Sequence, residues 1–155
     1  GCHEYQLIGK SESSNIVLLS AQKRIIQTKK CYVLLNRTEQ ISVSHSADFV
    51  GVIISDNRCA IDIERLDRNF GRVAERYIRP EEWALSQDER LAATLWCAKE
   101  ALYKYHRKGG VDYVEQISIL DYDAEHQLFK ASICGGEPVV VRLKREDNHS
   151  IALIG

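Results

Sequence analysis

From Ile41 to Ser55 the chain is largely apolar, interrupted by Ser44-His45-Ser46, and reads as one long kinked strand. Asp56-Asn57 supplies turn chemistry. Ala60-Ile61-Asp62-Ile63-Glu64 then alternates with period two, so residues 41–64 are predicted to form an antiparallel hairpin. In its second strand Ile61 and Ile63 share one face, and Asp62 and Glu64 share the other. Beyond residue 66 the pattern turns helical. Asp67 or Asn69 can cap a segment through Ile78, and Pro80 suits the first turn of a short helix over 80–85. Ser86 with Glu89 three residues on has the form of a capping box. The helix it opens is expected to run to about His106, with Leu91, Leu95, Ala98 and Leu102 as its buried stripe and Gly109-Gly110 as its stop. About 18 residues make a rod of about 27 Å, enough to cross a sheet. Strands are expected at 117–121, 127–134, 138–144 and 149–154. Ahead of residue 40, short apolar runs at 5–10 and 15–20 flank a Ser/Asn-rich loop. Residues 31–35 read as a brief strand, and no repeat of fixed period is present.

Composition narrows the class. A chain of 155 residues, 45% hydrophobic and 28% charged, fits one soluble globular domain. A net charge of -1 gives no global basic field, so no nucleic-acid partner is expected. No apolar run approaches the roughly 20 residues that span a bilayer, and nothing resembles a secretory leader. The five cysteines, Cys2, Cys31, Cys59, Cys97 and Cys134, are odd in number, scattered and free of any CxxC pair. They read as reduced thiols rather than disulfides or a zinc site, and so as cytoplasmic. With no methionine in the chain, Gly1 reads as a processed end.

The chemistry concentrates in two stretches, Ala60–Glu64 and Trp96–Lys104. Asp62 and Glu64 share a sheet face; taken alone they also fit an ordinary solvent-facing strand. Glu100 changes the weighing, because a helix packed over that strand brings three carboxylates together. Two like charges 4 Å apart repel by about 4 kcal/mol at an effective dielectric near 20. Three converging acids therefore call for a cation or a raised proton affinity, and oxygen-only ligands suit Mg²⁺. Lys99 and Lys104 fit either a phosphate beside that metal or a solvated helix face with a Glu100–Lys104 pair. Ser44-His45-Ser46 lacks the glycine elbow of a serine hydrolase. Its donors suit a phosphate oxygen, the plainer alternative being a packed or surface histidine. Lys23, Arg24, Lys29 and Lys30 form a basic cluster that is either solvated surface or further phosphate contact. Trp83 and Trp96 read as packing residues. His3, His106, His126 and His149 lack metal-ligand spacing, and no Walker A, GxGxxG or HExxH motif occurs.

In order, Ile41-Ser42-Val43-Ser44-His45-Ser46, Ala60-Ile61-Asp62-Ile63-Glu64 and Trp96-Cys97-Ala98-Lys99-Glu100-Ala101 through Lys104 resemble the 4'-phosphopantetheinyl transferase superfamily. With the acidic strand in mid-chain, the order resembles the larger, surfactin-synthetase-activating type. The resemblance implies transfer of phosphopantetheine from coenzyme A to a serine of an acyl or peptidyl carrier protein, releasing 3',5'-ADP. It implies Mg²⁺ on Asp62, Glu64 and Glu100, with Glu100, Lys99 and Lys104 serving catalysis. His45, Ser44, Lys30, Lys99 and Lys104 would contact coenzyme A. The expected fold is α+β, two unequal pseudo-repeat lobes (about 1–56 and 57–155), each a small mostly antiparallel sheet with helices on one side.

The chain departs from the family pattern at Ala60, where the family has glycine, and at Lys29 and Cys31, which replace the glycine and proline of a Gly-Lys-Pro segment. The shortened first lobe leaves the chain a monomer or self-associating through an exposed sheet edge. These departures keep open a relative that binds coenzyme A or a carrier without turnover. An unrelated metal-dependent phosphoesterase is a further alternative. Arg72, Arg76 and Arg79 are the expected basic surface for an acidic carrier.

Overall fold

The computed structural model describes residues 5–9, 25–27, 32–34 and 38–155. The architecture is α+β with antiparallel sheets. A three-stranded sheet has the order β1(Tyr5–Gly9), β5(Phe49–Ser55), β4(Gln40–His45). A five-stranded sheet has the order β6(Ala60–Arg65), β10(His149–Ile154), β9(Val139–Glu146), β8(Leu128–Ile133), β7(Ile117–Asp123). A ribbon of β2(Ile25–Gln27) and β3(Tyr32–Leu34) completes the described strands. Two 3₁₀ helices, η1(Gly71–Arg76) and η2(Pro80–Leu85), precede the α-helix α1(Leu91–His106). Lys23, Arg24, Lys29 and Lys30, with Cys2, Cys31 and the run at 15–20, lie outside the described residues.

The five-stranded sheet is covered on both faces at its β6–β10 end. On one face Leu91, Leu95, Ala98 and Leu102 of α1 pack with Ala60, Ile117, Phe129, Val141 and Ala152. The predicted helical stripe is therefore the one that is buried. On the other face Ile61, Ile63, Ile151 and Leu153 meet Ile53 of β5, with Tyr5 and Phe49 at the margin. Period-two alternation in β6 thus sends its isoleucines toward the first sheet and its acids toward the helix. Gly51 of β5 lies where the sheets press together: a Cβ there would sit 2.5 Å from Ile63 Cδ1.

Two expectations are corrected. Residues 41–55 are two strands, not one. Ser46 Oγ accepts hydrogen bonds from the amides of Asp48 (3.1 Å) and Phe49 (2.9 Å), folding β4 back on β5. The hairpin partner of β5 is β4, while β6 pairs with β10, as in Asp62 opposite Ala152. Apolar residues continue on both sides of the turn, which hid it. The helix also begins at Leu91 rather than near Ser86. Ser86 Oγ accepts from Asp88 N and Asp88 Oδ1 from Arg90 N, so the serine hydroxyl serves a local turn instead of the Glu89 amide that a capping box would use. The helix ends as expected: Arg107 turns left-handed (φ 62°), as do Gly109 and Gly110.

One buried ion pair fixes how α1 sits. Lys99 Nζ lies 2.8 Å from Glu82 Oε2, with both side chains almost fully enclosed. The ammonium also donates to the carbonyls of Tyr113 (3.0 Å) and Ile117 (3.1 Å). Glu82 in turn accepts from the amides of Arg79 and Ile119. The pair ties η2, α1, β7 and the loop before β7 together, and burial pulls the Lys99 ammonium down in proton affinity. Removing one partner strands the other charge. Lys99→Met is predicted to cost about 3–5 kcal/mol in urea unfolding. Pairing it with Glu82→Gln should recover much of that loss; equal losses in the single and double variants would contradict the assignment.

Candidate active site at the sheet seam

The acidic strand β6 is an edge strand whose free side faces β4. No backbone ladder joins them. Instead Ile61 N donates to Ser42 Oγ and Ile63 N to Ser44 Oγ, each at 3.1 Å, so two serine hydroxyls substitute for carbonyls. Ser44 Oγ then donates to Asp62 Oδ1 at 3.1 Å. From the helix, Lys104 Nζ reaches the same Oδ1 at 2.9 Å and donates to the carbonyl of Ile61 at 3.0 Å and of Val43 at 3.5 Å. Three segments therefore meet on one carboxylate.

Asp62 is buried, and its second oxygen, Oδ2, has no hydrogen-bond partner. Desolvation pushes its carboxyl up to about 7 against the pull of Lys104, and the neighbouring Glu64 raises it further. Both oxygens of Glu64 are engaged: Oε1 by Trp96 Nε1 at 3.0 Å, Oε2 by Arg68 at 2.7 Å. Glu100 Oε1 accepts from the Tyr113 hydroxyl at 2.6 Å. Burial lifts the Glu100 carboxyl above the usual range, and Asp62 adds to that lift. The Tyr113 phenol is pushed well up by burial and by Glu100, so it stays a donor.

Of the residues singled out in the sequence, the structure gathers Asp62, Glu64, Glu100, Ser44 and Lys104 around the seam. Among the described residues no three His, Cys, Asp or Glu side chains are grouped so that they could hold a metal ion. Asp62 Oδ2 is the open oxygen donor, with Glu64 and Glu100 close enough to act on its charge or be acted on by it. Ser44 is spent on β6 and Asp62 rather than facing solvent. His45 is exposed at the end of β4. Lys99 is the correction: it does not face the acids, because Glu82 and two carbonyls hold it inside. Lys30 falls outside the described residues. Arg72 and Arg76 are exposed, whereas the Arg79 guanidinium donates to the carbonyls of Val114 and Glu115.

Sequence reading missed Trp96 and Tyr113 as partners of the acids. Their rings stand 5.6 Å apart, with Tyr77 5.0 Å beyond Trp96 and Tyr103 5.6 Å beyond Tyr113. Trp96 lies four residues before Glu100 on α1, the one sequence signal that could have placed it on the acids' side. Tyr113 sits in a loop with no periodicity to expose it.

The model of the 4'-phosphopantetheinyl transferase superfamily matches residues 58–153, more than half of the chain, and the chain belongs to that superfamily. Its general activity is phosphopantetheine transfer. The matched segment holds Asp62, Glu64, Glu100 and Lys104 but stops short of Ser44 and His45. No curated protein matches the chain. No helix among the described residues is long and apolar enough to cross a membrane.

The raised Asp62 carboxyl has a stability consequence. Its folded value of about 7 exceeds the ordinary aspartate value of 3.8, so between those values the folded chain holds a proton the unfolded chain lacks. Stability then falls as pH rises through that window, and the penalty is complete above it. In metal-free buffer the melting temperature should drop between pH 5 and 8 more steeply for the wild type than for Asp62→Asn. Parallel curves would contradict this.

Proposed function

We propose that the chain is a magnesium-dependent 4'-phosphopantetheinyl transferase of the larger, surfactin-synthetase-activating type. It moves the phosphopantetheine arm of coenzyme A onto a serine of an acyl or peptidyl carrier protein and releases 3',5'-ADP. The observation that carries this reading is Asp62 Oδ2, a buried carboxylate oxygen with no partner, at the point where Glu64 and Glu100 approach. A buried carboxylate oxygen left without a partner beside two further acids calls for a cation or a proton. The three-stranded sheet ahead of the acidic strand, which supplies Ser42 and Ser44, supports the larger type.

The donor set fits Mg²⁺: every candidate ligand is a carboxylate oxygen, and this ion takes one or two protein carboxylates and completes its shell with water and substrate phosphate. No three such side chains are grouped to hold a metal among the described residues, so water and substrate phosphate would have to supply much of the shell. Asp62, Glu64 and Glu100 would hold it, and when bound it supplies charge neutralisation on the coenzyme A pyrophosphate. Lys104, its Nζ 2.9 Å from Asp62 Oδ1, adds to that neutralisation. His45, at the exposed end of β4, contacts a coenzyme A phosphate.

The carrier serine is the nucleophile. Its oxygen forms a new bond to the phosphorus bearing pantetheine, and the bond from that phosphorus to the 3',5'-ADP oxygen breaks. The serine proton passes to Glu100, directly or through a water, with Tyr113 holding one of the carboxylate's oxygens. Lys99 has no direct part, since its charge is consumed by Glu82.

Incubated with coenzyme A, Mg²⁺ and a panel of apo carrier proteins, the chain should add one phosphopantetheine mass to at least one carrier. Asp62→Asn and Glu100→Gln should each lose about 100-fold or more in rate while remaining folded by circular dichroism. Coenzyme A binding without transfer to any carrier would overturn the reading, as would wild-type rates in both variants.

A further inference from the structure

The loop between α1 and β7 is fastened far more heavily than a connection requires. Lys99 donates to the carbonyls of Tyr113 and Ile117, and Arg79 to those of Val114 and Glu115. Asp112 Oδ1 accepts from the amides of Val114 (2.9 Å) and Glu115 (2.8 Å), and Gln116 N donates to the carbonyl of Asp112 at 2.9 Å. The cationic anchors come from Arg79, just ahead of η2, and from Lys99 inside the helix, while Asp112 ties the loop to itself. All of them converge on the backbone around one side chain. The Tyr113 ring is wedged between Trp96 and Tyr103, 5.6 Å from each. Its hydroxyl meets Glu100 Oε1 at 2.6 Å.

We propose that Tyr113 is a positioning residue: its hydroxyl, held by the Lys99 and Arg79 anchors and the two flanking rings, fixes the rotation of the Glu100 carboxylate so that its other oxygen is presented to the seam beside Asp62. This inference rests on the transferase reading and adds to it a residue that the family-derived motifs do not contain. The physical reason is that a glutamate side chain has three rotatable bonds and reaches a useful orientation only when a partner holds one oxygen. A phenol is a suitable partner because it is neutral, donates one hydrogen bond and leaves the carboxylate its charge. Trp96 holds one oxygen of Glu64 through Nε1, with Arg68 on the other. The aromatic row Tyr77–Trp96–Tyr113–Tyr103 thus serves two of the three acids, the indole N–H on Glu64 and the phenol O–H on Glu100. It also gives Lys99 a purpose that its distance from the acids would otherwise deny: it is an anchor for the tyrosine backbone.

The test compares wild type, Tyr113→Phe and Tyr113→Leu. Mn²⁺, as a paramagnetic stand-in, is titrated into each protein with coenzyme A present and followed by electron paramagnetic resonance; transfer kinetics and melting temperature are measured alongside. Loss of a partner that orients a metal ligand weakens metal affinity or activity about 10–100-fold. Tyr113→Phe should therefore keep the wild-type melting temperature within about 2 °C, weaken Mn²⁺ about tenfold and lower kcat with little change in the KM for coenzyme A. Tyr113→Leu should lose stability as well, separating the ring's packing from the hydroxyl's effect. If wild type binds Mn²⁺ and transfers, and Tyr113→Phe matches it in both, this inference falls and the transferase reading stands. If wild type neither binds Mn²⁺ nor transfers, the reading falls and this inference with it.

Discussion

The Asp62 carboxylate is the constraint on which the rest of the structure turns. One of its oxygens is held by Ser44 from the three-stranded sheet and by Lys104 from the helix. The other is buried with nothing to bind. A charged group that is half satisfied inside a protein is costly, on the order of a few kcal/mol. Folding accepts that cost here because the same carboxylate joins two sheets and a helix at one point. Its high proton affinity is the trace of the unmet demand: a proton, or a cation, relieves it.

The seam shows how such a point is assembled. Ser42 and Ser44 let β4 lie against β6 without a backbone ladder, leaving the acidic face of β6 turned to the helix. Hydrophobic packing on the opposite face, Ile61 and Ile63 against Ile53, holds β6 in place so that the acids cannot retreat into solvent. The helix is set by a second buried pair, Lys99 with Glu82, on its far flank. Glu100 and Lys104 are then presented to the seam by the same rigid rod that carries Lys99. The neighbouring lysines of one motif divide the labour: Lys104 neutralises the acids, and Lys99 anchors the scaffold.

Much of this was legible in the chain. Period-two alternation placed Asp62 and Glu64 on one side of a strand, and the 3–4 stripe of Leu91, Leu95, Ala98 and Leu102 turned the helix so that Glu100 and Lys104 faced them. The four final strands were readable from their apolar runs. What stayed hidden depended on side chains acting across the fold. The turn at Ser46 is made by a hydroxyl amid apolar residues on either side. The start of the helix is decided by turns at Ser86 and Asp88 that imitate a cap. The inward course of Lys99 depends on Glu82, 17 positions earlier, in a helix too short to show a buried stripe. Tyr113 is placed by anchors from two other segments, α1 and Arg79 ahead of η2, and no local pattern announces it.

The account comes down to whether Asp62, Glu64 and Glu100 grip one ion at the seam. A crystal of the chain soaked with Mn²⁺ and coenzyme A, measured at the manganese absorption edge, answers this directly. The account predicts a single strong anomalous peak within about 2.3 Å of Asp62 Oδ2, with Glu64 and Glu100 oxygens and a pyrophosphate oxygen around it. Coenzyme A bound with no metal peak at Asp62, or a peak ligated by other residues, would contradict it.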